Sequence, residues 1–137
     1  MAERRIDVFF YGLFMDRSLL LEKGVVPTNE RNVFVKDFAL KIGQRATLVP
    51  EKNGKVYGVV MSLTHSELGH LYNETSLGEY RPEAVLVNFD NGTSGPALCF
   101  NLSQAPTADE HSEAYAQRLR ALANTLGFPS DYVASIL

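Results

Sequence analysis

The sequence has one cysteine, no basic excess and no long apolar run. With Cys99 alone, an internal disulfide is excluded, and so is a zinc site built on several thiolates. Lys and Arg number 13 against 16 Asp and Glu, a formal net charge of −3. Nucleic-acid binders usually carry a basic face, so no nucleic-acid partner is expected. The longest apolar stretch, Val8 to Met15 with Gly12 counted, falls far below the ~20 residues a membrane helix needs. No membrane partner is expected. The N-terminal residues carry mixed charge and no signal-type apolar segment follows, so a cytoplasmic protein is expected. On that ground the Asn-x-Ser/Thr triplets at Asn73, Asn91 and Asn101 read as chance matches. Also missing are a nucleophile elbow, a phosphate-binding P-loop and a dinucleotide-binding glycine pattern.

What is present fits one globular domain over residues 1–137, with 45% hydrophobic and 21% charged residues. Ile6 to Tyr11 is β-branched and aromatic and predicts a buried strand ended by Gly12. Asp16 predicts the cap of a short helix, Arg17 to Lys23, with Gly24 as its stop. Asn32 to Ile42 alternates, and its phase slips once between Val35 and Phe38, which predicts a bend or bulge. Ala46 to Val49 predicts a strand ended by Pro50. Asn53-Gly54 predicts a hairpin turn into Val56–Leu63. Thr64-His65-Ser66-Glu67 has capping-box spacing, and Leu68, Leu71 and Tyr72 give the helix its apolar stripe. Tyr80 to Phe89 reads as a strand with Pro82 at its start or on an edge. Asn91-Gly92 predicts a second hairpin, returning through Pro96 to Leu102. Ser112 to Gly127 reads as a helix whose Tyr115, Leu119, Leu122, Ala123 and Leu126 share one face. That face is expected on the sheet, with a dimer interface as the alternative. A short helix is expected after Pro129-Ser130. The sum is an α+β fold around a mainly antiparallel sheet.

Two stretches carry chemistry. In Phe9 to Asp16 a hydrophobic strand runs into Gly12 and then a helix start. Gly allows a sharp turn and close approach to the backbone, and N–H groups there can hold an anion or an oxyanion. The bland alternative is a buried strand with a tight turn. Glu74 to Arg81 joins a helix to a strand. Partial burial of Glu74 would raise its pKa toward that of a general base; the alternative is an exposed loop carboxylate. Glu67, His70 and Glu74 share a helical face, which reads better as solvated polarity than as a metal site. No metal is expected. Cys99, between apolar neighbours, reads as a buried structural thiol. Arg118 and Arg120 read as solvated helix charges.

Tyr11-Gly12-Leu13-Phe14-Met15-Asp16, then Val56-Tyr57-Gly58-Val59-Val60-Met61-Ser62-Leu63, Leu71-Tyr72-Asn73-Glu74, Tyr80-Arg81 and Val85-Leu86-Val87 follow one another in order. This series resembles the γ-glutamyl cyclotransferase-like superfamily, including its AIG2-like members, over roughly residues 6–102. The first segment is similar to Tyr-Gly-Thr-Leu-Met-Asp, and the third to a Leu-Asp-x-x-Glu-Gly signature. The resemblance implies a small, mainly antiparallel, β-barrel-like sheet with flanking helices and a pocket at its mouth. It implies a γ-glutamyl or related small-molecule substrate, cyclised to 5-oxoproline with release of an amine. No cofactor is implied. By the same resemblance Glu74 is the acid/base. The backbone at Gly12, Leu13 and Phe14 cradles the glutamyl end, Tyr11 shapes the floor, Tyr80 lines the pocket, and Arg45 or Arg81 meets a carboxylate. Leu13 stands where the family has Ser or Thr, the Asp of the signature is absent, and its Gly is Thr75, which makes Glu79 a rival base. The alternative is a catalytically silent member binding a small metabolite or a partner protein. Monomer and homodimer are both open.

Overall fold

The computed structural model describes residues 4–72, 80–102, 104–107 and 109–136. Among these, five strands close a barrel in which β1 (Arg5–Phe10) lies beside β3 (Ala46–Thr64), β3 beside β2 (Thr28–Ile42), β2 beside β4 (Tyr80–Phe89) and β4 beside β5 (Ser94–Leu102). All ladders are antiparallel except that of β1 with β5, which is parallel and rests on one pair, Val8 with Leu98. The helices are α1 (Arg17–Glu22), α2 (His65–Tyr72), α3 (Glu113–Thr125) and α4 (Ser130–Ser135), with a single 3-10 turn at Leu13–Met15. The α+β barrel expected from the sequence is the observed architecture.

Strand periodicity divides the apolar residues into two cores. Along β1, Val8 and Phe10 face one way and Phe9 and Tyr11 the other, because successive side chains alternate. Phe9 and Tyr11 join Val33, Val35, Val56 and Cys99 within the barrel. Val8 and Phe10 join Met61 and Leu63 with Leu71, Leu119 and Ala123 under the helices. The apolar face of α3 is therefore covered within the chain, with Ala116, Leu119 and Ala123 buried. Ser112 caps it by accepting from the Tyr115 N–H at 3.2 Å.

One sequence expectation is overturned. Asn53-Gly54 does not turn the chain, and Pro50 does not end a strand. β3 runs unbroken from Ala46 to Thr64 and pairs with β2 along both halves. The reversal lies at residues 43–45, where the Gly43 N–H donates to the Arg45 carbonyl at 3.0 Å. Asn53 has the left-handed φ of 65° that a hairpin would use, but so does Asp37, also at 65°. The Asn53 N–H donates to the Asp37 carboxylate at 3.0 Å, and the β2–β3 register shifts between Lys36 and Phe38. The left-handed residue builds a bulge, and that bulge is the phase slip read after Val35. The Asn91-Gly92 turn does reverse the chain, with Gly92 at φ 85°.

The capping box at α2 forms as read. The Glu67 N–H donates to the Thr64 hydroxyl at 3.1 Å, and the Thr64 N–H donates to the Glu67 carboxylate at 2.8 Å. The second carboxylate oxygen accepts from the Val26 N–H at 2.8 Å, which ties the segment before β2 to α2. Burial alone would raise this carboxyl. The Thr64 and Val26 N–H groups, the Thr64 hydroxyl and Arg5 together outweigh it and hold Glu67 below its ordinary value.

Two predictions follow from this packing. A Cβ on Gly58 would meet the Phe10 carbonyl at 2.3 Å and the Phe9 ring at 2.6 Å. Gly58→Ala is expected to destabilise by about 1–3 kcal/mol, read by urea unfolding; an unchanged midpoint would contradict the packing. A carboxyl depressed in the folded state stabilises above its unfolded pKa and loses that contribution as pH falls through the folded one. Glu67→Gln should therefore lower the melting temperature at pH 7, with the gap to wild type closing below about pH 4.3. A gap independent of pH would show that the charge contributes nothing.

Candidate functional site

A cavity of about 480 Å³ opens at the end of β1. Its walls come from elements far apart in the chain. Phe9, Phe10 and Tyr11 end β1, and Gly12, Leu13 and Phe14 follow. Leu19 and Lys23 come from α1 and its end, and Arg45 and Ala46 from the β2–β3 reversal. Tyr72 ends α2, Tyr80 begins β4, Phe100 lies on β5, and Tyr115 and Arg118 come from α3.

The floor is a clasp of side-chain hydrogen bonds. Tyr11 donates to the Phe100 carbonyl at 2.8 Å, with Ala46 O at 3.5 Å. Tyr80 donates to the same Ala46 carbonyl at 2.5 Å. The Leu102 N–H donates to the Thr47 hydroxyl at 2.9 Å, and the Leu48 N–H to the Asn101 side-chain oxygen at 3.2 Å. The Tyr80, Leu102 and Leu48 bonds join β3 to β4 and β5, which are not its sheet neighbours, and the Tyr11 bond ties the end of β1 to β5. An aromatic wall stands on the floor: Tyr72 stacks on Phe100 with centroids 3.9 Å apart and planes 13° apart, and Phe14 meets Tyr72 edge-on at 6.3 Å. Burial pushes the Tyr11, Tyr72 and Tyr80 hydroxyls above their ordinary values. All three stay protonated at neutral pH.

At the rim, Gly12 has φ −109° and ψ −153°, extended backbone that any residue adopts. Its missing side chain matters for space. The Tyr115 hydroxyl accepts from the Leu13 N–H at 3.3 Å, and a Cβ on Gly12 would lie 2.5 Å from that hydroxyl. The close approach at Gly12 expected of a ligand is made by the protein's own tyrosine. Burial raises the Tyr115 hydroxyl, against the opposing pull of the Leu13 N–H and Arg118.

Of the residues singled out in the sequence, Tyr11, Gly12, Leu13, Phe14, Arg45 and Tyr80 all line this cavity. Arg81 does not. It is exposed, and its guanidinium donates to the Tyr80 carbonyl at 3.0 Å; as the next residue along β4 it faces away from Tyr80. Glu74 and Glu79 lie outside the described residues. Tyr72 and Tyr80, the described residues on either side of positions 73–79, both line the cavity. Lys23, Tyr72, Phe100, Tyr115 and Arg118 went unrecognised as lining residues. Arg118, read as solvated, stands at the cavity, while Arg120 pairs with Glu113 at 2.8 Å and donates to the Ile136 carbonyl at 2.6 Å. A signal existed for Tyr115: it is the one residue with a polar tip on an otherwise aliphatic helix face.

Among the described residues no group of three or more His, Cys, Asp or Glu is placed to hold an ion, and Glu67 is engaged in capping. Nor is any helix among them long and apolar enough to cross a membrane. Cys99 lies inside the barrel, fully buried, with Asn101 as its hydrogen-bond partner. Burial and the nearby Glu83 carboxylate push its thiol up to about 12, against the Asn101 bond.

The AIG2-like family model matches residues 55–136 of the 137. The chain belongs to the AIG2-like family. Its fold is that of the γ-glutamyl cyclotransferase-like superfamily. A solved γ-glutamyl cyclotransferase is 20% identical with a TM-score of 0.81, over 98% of this chain and 89% of that one. An uncharacterized protein from Homo sapiens is 21% identical with a TM-score of 0.79, over the same shares of 98% and 89%. YkqA from Bacillus subtilis is 22% identical with a TM-score of 0.77, over 96% of this chain but 52% of that one. At these identities the likeness is one of fold. No curated protein sequence matches.

The AIG2-like barrel makes a direct prediction for its thiol. Native Cys99 should fail to react with a thiol reagent such as Ellman's at pH 8 and react fully once the chain is unfolded in guanidinium. Rapid reaction of the native protein would show that the barrel interior is open.

Proposed function

We propose that this AIG2-like protein cyclises a γ-glutamyl amine or amino acid to 5-oxoproline, releasing the amine. The observation that carries the reading is the cavity at the end of β1. Backbone from Gly12 to Phe14, three cationic side chains and an aromatic wall enclose a volume suited to a small molecule. A γ-glutamyl compound brings a carboxylate for such donors and a short carbon chain for such a wall.

The reaction asks little else of the protein. The α-ammonium of the substrate gives a proton to a base. The freed amine attacks the γ-carbonyl carbon of the same molecule, and the C–N bond to the departing amine breaks as its nitrogen takes the proton from the base; the attacking nitrogen sheds a second proton to become the lactam N–H, and the released amine takes that proton up as an ammonium. Attack within one molecule makes positioning a large part of the acceleration. A carboxylate that accepts and returns the proton supplies the rest, with N–H groups facing the γ-oxygen as it becomes negative. Glu74 is the proposed base and Glu79 its rival. The proposed setting is cytoplasmic, the partner a small molecule. Tyr11, Tyr80 and Arg45 would shape the bound state.

A second reading, ligand binding without turnover, is favoured by the Leu13 N–H being engaged by Tyr115. Leu13 also has no hydroxyl to offer. The discriminating experiment is 5-oxoproline release from γ-glutamyl amino acids, γ-glutamyl amines and glutathione. Turnover is expected, with Glu74→Gln lowering kcat by about 10²–10⁴. Loss in Glu79→Gln alone would transfer the role of base to Glu79. Absence of turnover across the panel would overturn the enzymatic reading in favour of binding.

A further inference from the structure

Four tyrosine hydroxyls line the cavity, and their hydrogen bonds divide them. Tyr11 and Tyr80 donate their protons to the Phe100 and Ala46 carbonyls. The Tyr115 hydroxyl makes one bond among the described residues, and in that bond it is the acceptor, from the Leu13 N–H. A phenol has a single proton, and here it has no acceptor among them. The Leu13 bond fixes the oxygen at the rim, so the proton is presented to whatever fills the cavity. Arg118 follows three residues later in α3, on the same side of the helix. It too lines the cavity, is exposed, and makes no ion pair with a described carboxylate. A guanidinium only donates.

We propose that Tyr115 and Arg118 form a carboxylate-recognition pair, taking the carboxylate of the glutamyl or 5-oxoprolyl group beside the backbone of Leu13. This rests on the reading of the cavity as a γ-glutamyl site and assigns to α3 a role in specificity. Converging donors call for an acceptor with more than one lone pair. A carboxylate accepts from several donors at once, and Arg suits it through two parallel N–H bonds. Neither an ammonium nor an alkyl amine satisfies such a pair.

The test uses two ligands that differ only by this carboxylate, 5-oxoproline and 2-pyrrolidinone, titrated into the full chain by calorimetry or NMR. Wild type should favour 5-oxoproline. Arg118→Gln alters an exposed side chain and should leave the melting temperature unchanged; Tyr115→Phe keeps the ring but takes the acceptor from the Leu13 N–H, so it should fold with a modestly lower melting temperature. Each should weaken 5-oxoproline by about tenfold or more, as loss of a hydrogen bond to a charged group requires, and leave 2-pyrrolidinone as it was. Unchanged 5-oxoproline binding in both variants, equal loss of both ligands, or no preference in wild type would each overturn the proposal. Binding is read without turnover, so the two readings fail separately. An inactive chain that discriminates the carboxylate through these residues retains the pair and loses the catalytic reading. A γ-glutamyl compound turned over with unchanged KM in both variants retains the reaction and removes the pair.

Discussion

Everything in this fold turns on the second half of β1, from Val8 onward, having no solvent face. Val8 and Phe10 belong to the core under the helices, and Phe9 and Tyr11 to the core inside the barrel. A strand buried on both sides must satisfy its backbone through its neighbours, here β3 along its whole length and β5 at one point. It must also end where both cores end. The chain emerges at Gly12, the first half-buried position after four fully buried ones. The site therefore forms at the exit of β1, and the rim backbone at Gly12 to Phe14 is held in place by the two cores beneath it.

That exit coincides with one of the two thin seams of the barrel. The β2–β4 ladder consists of two pairs, Val33 with Phe89 and Phe34 with Asn88. Past them, β3, β4 and β5 are joined by the hydroxyls of Tyr11, Tyr80 and Thr47 and the amide of Asn101. A continuous ladder would have closed this end of the barrel. Side-chain bonds instead close the floor and leave a volume above it. Each such bond contributes only about 1 kcal/mol net, but an unpaired carbonyl in this position costs more. The clasp is thus a requirement of burial as well as a boundary of the cavity. It explains why Tyr11 and Tyr80 are tyrosines where phenylalanine would fill the same space.

Much of this was legible in the chain, and the misreadings have definite physical causes. The α2 cap was legible because Thr64 and Glu67 act within three residues of each other, a local pattern. The bulge after Val35 was legible as a slip of phase. Asn53-Gly54 misled because a left-handed residue serves a hairpin and a bulge equally, and only the partner strand decides between them. The opposing Asp37, with its own positive φ, cannot be matched to Asn53 from local sequence. At the site, Tyr11 to Phe14 and Tyr80 stood out through the order of motifs. Tyr115 and Arg118 did not, because a helix far along the sequence reaches the cavity only through tertiary packing. Amphipathicity correctly put Tyr115 on the buried face, but periodicity describes the ring and says nothing of where the hydroxyl ends. Arg81 was drawn in as the neighbour of Tyr80, and strand alternation turns such neighbours to opposite faces.

Net charge is a poor guide to this cavity. The chain carries −3, yet the ionisable groups among the described lining residues are Lys23, Arg45, Arg118 and tyrosines. Burial keeps the tyrosines neutral, so these side chains supply positive charge and donors. In the cyclisation proposed here the carboxylate is unchanged from substrate to product, while the amine passes from ammonium to lactam nitrogen. Groups that hold the carboxylate bind substrate, transition state and product alike, and such uniform binding lowers KM without raising kcat. Rate must come from groups that meet the charges that change, the departing proton and the γ-oxygen. A donor-rich cavity thus accounts for recognition and orientation, and turnover additionally requires a carboxylate base. That requirement is why binding and catalysis are separable in an AIG2-like chain, and why its cavity can persist in a member that has lost the base.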